Sequence, residues 1–304
     1  MVDILIIGGG PAGLTAAVYA RRAGKSVLVI EKGAFGGQIT WSPRVENFPG
    51  TVSISGNELG DRLLEQAIEQ GSDVELEEIV SVAPIGDRTG FLLKAASGAE
   101  YEAGAVIVAT GAKPRKTGLP REEELIGNGV CFCAVCDGAF YKDRPVAVCG
   151  GGNSALQDAL LLSEKCSKVY LIHRRDTFKG ETRLVEALRE KENVEFVLNT
   201  TLETLEGENE LSGVTVRENG TLRKLAVDGL FVAIGHLPDN KIVSGLIELD
   251  GKGYAASGED CLTTVPGLFV AGDCRKKTVR QVTTACADGA VAALAACSWL
   301  DSAQ

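Results

Sequence analysis

The sequence predicts an α/β protein made of two similar Rossmann-like units, and three observations carry that expectation. Strand and helix patterns alternate along the chain. Two glycine-rich turns, GGGPAG and GGGNSA, each stand between an apolar run and a helical pattern. A weak internal echo recurs as GAVIVATG at 104–111, GLFVAIG at 229–235 and GLFVAGD at 267–273. Each is a short buried-strand run that closes on glycine, as two related units would produce.

The first unit opens with a strand over 4–7, the turn, a helix over 11–23 and a second strand over 26–30 that ends at Glu31. Gly8-x-Gly10-x-x-Gly13, with Pro11 and Ala12 inside it, has the spacing that binds a dinucleotide. The first glycine makes the tight turn, the second lets backbone approach a pyrophosphate, and the third permits close helix packing. The helix N-terminus then offers about half a positive elementary charge to the phosphates. Glu31 stands where an acid accepts hydrogen bonds from a ribose. A lone glycine motif is also an ordinary turn; the strand, helix and carboxylate around this one favour the dinucleotide.

The second unit opens with a strand over 145–149, turns through Gly150-x-Gly152-x-x-Ala155, and continues as a helix to about residue 164. Its next strand, 168–172, ends in His173, Arg174 and Arg175. A carboxylate there would favour the free ribose hydroxyl of NAD, whereas arginines favour the 2′-phosphate of NADP through charge-assisted hydrogen bonds. Lys179 adds a further positive charge nearby. The bland alternative is a solvated basic strand end.

Between the two turns lies Cys133-Ala-Val-Cys136, followed at once by Asp137. A CxxC pair brings two sulfurs within disulfide reach in a short loop or helix start, where a helix N-terminus favours the thiolate. Asp137 is placed to move protons as thiolates form and leave. Zinc is the rival, because Cys131 extends the run to C-x-C-x-x-C. Structural zinc needs a fourth ligand, and no second paired motif supplies one, so no metal is expected. Asp273 closes GLFVAGD and precedes Arg280, Gln281 and a helix to about residue 299. An acid there suits the hydroxyls of a ribityl chain, although taken alone it is a strand end and a helix cap.

Composition narrows the function. The 304 residues suffice for two domains, 45% of them are hydrophobic, and only 5% are aromatic. A formal charge of −10 repels phosphate backbones and anionic membranes, so neither nucleic acid nor a membrane surface is an expected partner. Bound anions must be held by local features. The opening run, VDILIIGGGPAGL, passes straight into a turn and does not read as a signal peptide. The apolar GAVAALAACSWL reads as a buried helix too short to span a bilayer. Nine cysteines without an export signal suggest mostly reduced thiols and a cytoplasmic protein. Only two histidines occur, His173 and His236, which limits metal and histidine chemistry.

Together these residues resemble the low-molecular-weight thioredoxin reductases over nearly the whole chain. The likeness rests on GGGPAG, EKGAFGGQI followed by VENFPG, ATG at 109–111, CAVCDGAFY, GGGNSA, HRRDTFK and GLFVAGD with RQV. CAVCDG just before a second dinucleotide turn is the most specific of them. The resemblance implies an FAD domain split over 1–115 and 241–304, with an NADPH domain of 116–240 inserted into it. It further implies a homodimer whose disulfide substrate is thioredoxin or a thioredoxin-like protein. By position, Glu31, Lys32, Gly37, Gln38, Asn47, Thr110, Gly111, Gly272, Asp273, Arg280, Gln281 and Val282 join the glycine turn around FAD. Asn153, Ser154, Ile234 and Gly235 join Gly150, Gly152, Ala155, His173, Arg174, Arg175 and Lys179 around NADPH. Cys136 faces the flavin and Cys133 engages the partner. The cysteine pair and the NADPH turn share one domain, so turnover is expected to need a rotation about 113–120 and 236–241.

Three features depart from the family pattern. Lys179 replaces an arginine, Cys131 stands at a position expected to be a non-thiol, and Trp41-Ser42-Pro43 replaces small polar residues. A flavin reductase of ferredoxin–NADP type would need no CAVCDG. A ferredoxin-driven relative would need no Arg-Arg pair. A non-catalytic scaffold would leave all three motifs without purpose.

Overall fold

The computed structural model describes residues 1–86 and 90–302. The chain divides into two compact units, Met1–Lys113 with Leu237–Gln304, and Pro114–His236. The last two positions of the expected 241–304 segment lie outside the described residues.

The first unit is built on a seven-stranded sheet. Its strands run in the order Asp73–Leu76, Val27–Glu31, Val2–Ile7, Glu100–Val108, Phe91–Ala95 and Ile79–Pro84, and Leu268–Val270 also pairs with Glu100–Val108. The central strands are parallel, with Ile4 opposite both Val27 and Ala105. Both faces of these strands are covered, so their buried parts read as continuous apolar runs, ILII at 4–7 and VLVI at 27–30, without alternation. The helix Pro11–Arg22 packs on one face beside the C-terminal helix Val282–Ser302, with Leu14, Ala17, Ala292, Ala293 and Ala296 fully buried there.

The C-terminal helix is longer than its apolar core segment suggested. At 21 residues it has the length and apolarity of a membrane span, so the expectation of a segment too short to cross is corrected. One face of it packs into the core, whereas Val291 and Leu294 are exposed. A Cβ on Gly289 would overlap the carbonyl oxygen of Ala12, and Asp288 lies buried in an ion pair.

The second unit repeats the plan. Five parallel strands are ordered Val194–Val197, Lys168–Ile172, Pro145–Gly150, Gly229–Ala233 and Val130–Cys131. The helix Asn153–Ser163 follows the glycine turn. An antiparallel three-stranded sheet, Thr200–Glu206, Gly213–Glu218 and Thr221–Leu225, is appended. The stretches 113–120 and 236–241 read as linkers, yet Ala112–Pro114 and His236–Pro238 pair as a two-stranded ribbon.

Candidate functional site: two dinucleotide cradles and a disulfide

In the first unit the turn after Val2–Ile7 is shaped by contacts only glycine permits. Gly8 has φ +113°, and a Cβ there or on Gly13 would overlap the carbonyl oxygen of Ala109 or of Gly8. Gly10 occupies the N-cap of Pro11–Arg22 with no side-chain cap, and Pro11 supplies the first helical residue. The helix's first amides are therefore left for an anionic ligand. Ala12 packs below, where a Cβ on Gly272 would approach it to 2.9 Å.

Glu31 accepts from the Gly9 amide on one oxygen and from the Gly33 amide on the other, each at 2.8 Å. Two backbone donors fix the carboxylate beside the turn, with lone pairs remaining for a ribose. Gly37 sits so close to Gly10 that a Cβ would lie 3.1 Å from its Cα. Gln38 donates to the Ala112 carbonyl at 2.6 Å, near Gly111. Asn47 and Gln281 meet at 3.2 Å, joining two segments far apart in sequence. Arg280 lies 4.3 Å over the Tyr254 ring and reaches the Asp273 carbonyl. Val282 begins the C-terminal helix. Lys32 is engaged away from this group, paired with Asp239 at 2.5 Å and with Glu78.

Thr110 Oγ1 and Asp273 Oδ1 are buried without a hydrogen-bond partner among the described residues. Burial raises the Asp273 pKa, opposed by the charges of Lys277 and Arg280. A buried acceptor without a donor is costly unless a ligand satisfies it. The uncapped helix, the glycine cradle and this carboxyl together suit a dinucleotide with a polyhydroxyl chain.

The second unit repeats the turn with a different rim. Gly152 is the uncapped N-cap of Asn153–Ser163, whose first turn, with Ser154, carries no acid. A Cβ on Gly150 would meet the Ala233 carbonyl at 2.5 Å and the Ala155 Cβ at 2.7 Å, so alanine in the third motif position is just accommodated. The imidazole of His173 stacks on Phe178, with centroids 5.1 Å apart, and occupies the space a Gly151 side chain would need. Its Nε2 meets the Thr177 carbonyl at 3.1 Å. Burial, then the nearby Arg174 and Arg175, keep its pKa below the ordinary value. Lys179 donates its amide to Gly151, and Asn153 exchanges two hydrogen bonds with Glu181. The loop bearing Arg174, Arg175 and Lys179 is thus folded onto the turn. Those three side chains are exposed, and none forms an ion pair among the described residues. Ile234 and Gly235 follow the neighbouring strand Gly229–Ala233, Ile234 being 40% exposed.

Cys133 and Cys136 form a disulfide, with Cα atoms 5.3 Å apart. Cys133 is the N-cap of the one-turn helix Ala134–Asp137, and its sulfur accepts from the Cys136 amide at 3.1 Å. After reduction, that N–H stabilises a thiolate on Cys133. Asp137 is the last residue of that helix. Its Oδ1 is buried without a partner among the described residues, and burial pushes its pKa up to about 6. Cys131 is buried, 3.4 Å from the Tyr141 hydroxyl, and takes no part in the disulfide. Burial pushes the Cys131 thiol far up, which makes it inert and leaves the redox pair unambiguous.

No motif in the sequence assigns a role to Tyr141, beside Cys131, or to the ionic group of Arg275, Lys277 and Asp288. The one available signal was a charged residue, Asp288, inside an alanine-rich helix.

Comparison with known proteins agrees with this arrangement. Residues 2–289 match the family described as pyridine nucleotide-disulphide oxidoreductase. The chain is 41% identical over 309 residues to a thioredoxin reductase of Treponema pallidum (strain Nichols), covering 99% of this chain and 98% of that protein. It is 39% identical over 302 residues to a bifunctional thioredoxin reductase/thioredoxin of Mycobacterium leprae (strain TN), covering 98% of this chain and 66% of that one. The solved thioredoxin reductase from Streptococcus pyogenes MGAS5005 matches with a TM-score of 0.93 at 37% identity, covering 99% of each chain. The two cradles, the disulfide and these likenesses converge: the chain belongs to the pyridine nucleotide-disulphide oxidoreductases and, among them, to the thioredoxin reductases.

Proposed function

We propose that the protein is an NADPH-dependent thioredoxin-disulfide reductase, holding FAD in the unit of Met1–Lys113 with Leu237–Gln304 and NADPH in the unit Pro114–His236. The observation that carries this reading is the Cys133–Cys136 disulfide, with the buried carboxyl oxygen of Asp137 on the residue next to it. FAD, when bound, supplies two-electron transfer between NADPH and that disulfide. The chain's own residues do the rest. The uncapped helix at Gly10 and the carboxyls of Glu31 and Asp273 bind and orient one dinucleotide. Arg174 and Arg175 select the 2′-phosphate of the other.

Two electrons and two protons convert the disulfide to two thiols, and Asp137 accepts and returns a proton at Cys136. The Cys133 thiolate attacks one sulfur of the thioredoxin disulfide, expelling the other as a thiol once protonated. Cys136 then attacks Cys133 in the mixed disulfide, which restores the Cys133–Cys136 bond and releases dithiol thioredoxin. The relative named as a bifunctional thioredoxin reductase/thioredoxin supports that substrate class. The cysteine pair and the coenzyme turn lie in one unit, which supports a rotation of that unit during turnover. Exposed Val291 and Leu294, one turn apart on the C-terminal helix, support a homodimer. Seven unpaired cysteines support a reducing, cytoplasmic location.

The test is NADPH oxidation by the FAD-loaded protein with and without a panel of thioredoxins from the same cell. Turnover is expected with thioredoxin and is abolished by Cys133→Ser or Cys136→Ser. The Cys133→Ser protein alone should show long-wavelength thiolate-to-flavin absorbance. Failure of every thioredoxin to elicit oxidation, with the flavin still reducible by NADPH, would sink the proposed substrate.

A further inference from the structure

Beneath the flavin cradle lies a buried charge cluster that the reaction above does not use. Asp288, in the C-terminal helix, has a side chain only 8% exposed, and those of Arg275 and Lys277 are 3% and 6% exposed. Four donors converge on the Asp288 carboxylate. Arg275 gives Nε to Oδ2 at 2.8 Å and Nη2 to Oδ1 at 2.7 Å, a two-point pairing. Lys277 Nζ reaches Oδ2 at 2.8 Å. The backbone amide of Gly272 donates to the same oxygen at 3.0 Å. Gly272 is the residue before Asp273, whose buried Oδ1 lacks a partner among the described residues.

The charges are arranged with a purpose beyond packing. Two buried cations face a single fully engaged carboxylate. The other nearby acid on Arg275, Glu259, is 3.5 Å away with a side chain 94% exposed, so water screens it. Lys277 and Arg280 favour the ionised form of Asp273, against burial and the charge of Asp288, which raise its pKa. The next residue, Gly289, packs against the Ala12 carbonyl in the first turn of the dinucleotide helix. One short stretch of the C-terminal helix thus touches both walls of the cradle.

We propose that Asp288 is a positioning residue for FAD, acting through Asp273. It clamps the turn 272–277 by its amide and both cations, and it keeps Lys277 occupied so that the Asp273 carboxyl remains free for the ligand's hydroxyls. Without the Asp288 charge, the stranded ammonium of Lys277 captures Asp273. The proposal rests on the reading of Asp273 as an FAD ligand, and the test separates the two.

Full-length protein stripped of flavin is titrated with FAD, following flavin fluorescence, for the parent, Asp288→Asn, Asp273→Ala and the double variant. Asparagine still accepts from the Gly272 amide, so Asp288→Asn isolates the charge. Asp288→Asn and Asp273→Ala are each expected to weaken FAD binding at least about tenfold. The double variant should bind no worse than the weaker single, because both act through one contact. Multiplying losses, or an Asp288→Asn affinity within about twofold of the parent, would overturn the positioning role. A full-strength Asp273→Ala protein would overturn the ligand reading itself, and the proposal with it. Should Asp288→Asn fail to fold, Asp288→Asn combined with Lys277→Met carries the test without a stranded ammonium. With the competing cation gone, FAD binding should stay within about threefold of the parent, and a loss as large as that of Asp273→Ala would overturn the capture of Asp273 by Lys277.

Discussion

Replacing Asp137 by Asn should make the protein more stable and less active, with a stability gain that depends on pH. Burial pushes this carboxyl from 3.8 up to about 6, opposed in part by the hydrogen bond with Cys131. At about 1.4 kcal/mol per pH unit, that interval corresponds to a folding penalty of about 3 kcal/mol. The direction follows from proton linkage. Well below pH 3.8 the group is protonated in both folded and unfolded chains, and no penalty exists. As pH rises through 3.8 the unfolded chain releases its proton while the folded chain keeps it until about pH 6, so stability falls across that window. Above pH 6 the whole penalty persists. Asparagine cannot ionise, so Asp137→Asn should exceed the parent by up to about 3 kcal/mol at pH 8 and by roughly 1 kcal/mol at pH 4.5. Urea unfolding of the oxidised full chain at the two pH values measures the gap. The same change removes the proton acceptor beside Cys136, and kcat should fall about a hundredfold or more. An equal stability gap at both pH values would refute the claim that burial, acting on the charged form, governs this carboxyl. Unchanged kcat would remove its role in proton transfer.

Two further outcomes are expected. Arg174→Ala combined with Arg175→Ala should raise KM for NADPH at least about tenfold and leave that for NADH nearly unchanged. Charge-assisted phosphate bonds are worth roughly 1.5–3 kcal/mol each before allowance for exposure, and steady-state kinetics with both coenzymes decides the matter. Gly289→Ala places a Cβ onto the Ala12 carbonyl and should destabilise the FAD-bound protein by about 1–3 kcal/mol in thermal or urea unfolding. A neutral result would mean that the two helices separate freely.

What could be read from the sequence was whatever is settled within a few residues. The α/β class follows from runs such as ILII at 4–7 and VLVI at 27–30, because the part of a strand covered on both faces is apolar. The glycine turns are legible because backbone contacts there forbid a side chain. The disulfide is legible because CxxC spacing itself brings the sulfurs together. Boundaries are less so. The first strand was expected from Ile4, yet it begins at Val2, because Asp3 is held inside the sheet by the amide and hydroxyl of Ser26. The expected linkers hold a paired ribbon because the partner strand lies more than a hundred residues away. Asp288 meets Arg275 and Lys277 only because the chain reverses after Asp273, and nothing in the spacing of these three among the five charges over 275–288 marks them as one buried group. His173 was placed by its motif at a strand end. That its ring covers Gly151 depends on Phe178 and on the fold of the following loop. The charge state of Asp137 belongs to the same class. Its position was written in CAVCD, but its raised pKa comes from burial that assembles around it from outside the motif. Residue identity therefore located the chemistry, whereas the electrostatic setting that tunes it had to come from tertiary packing.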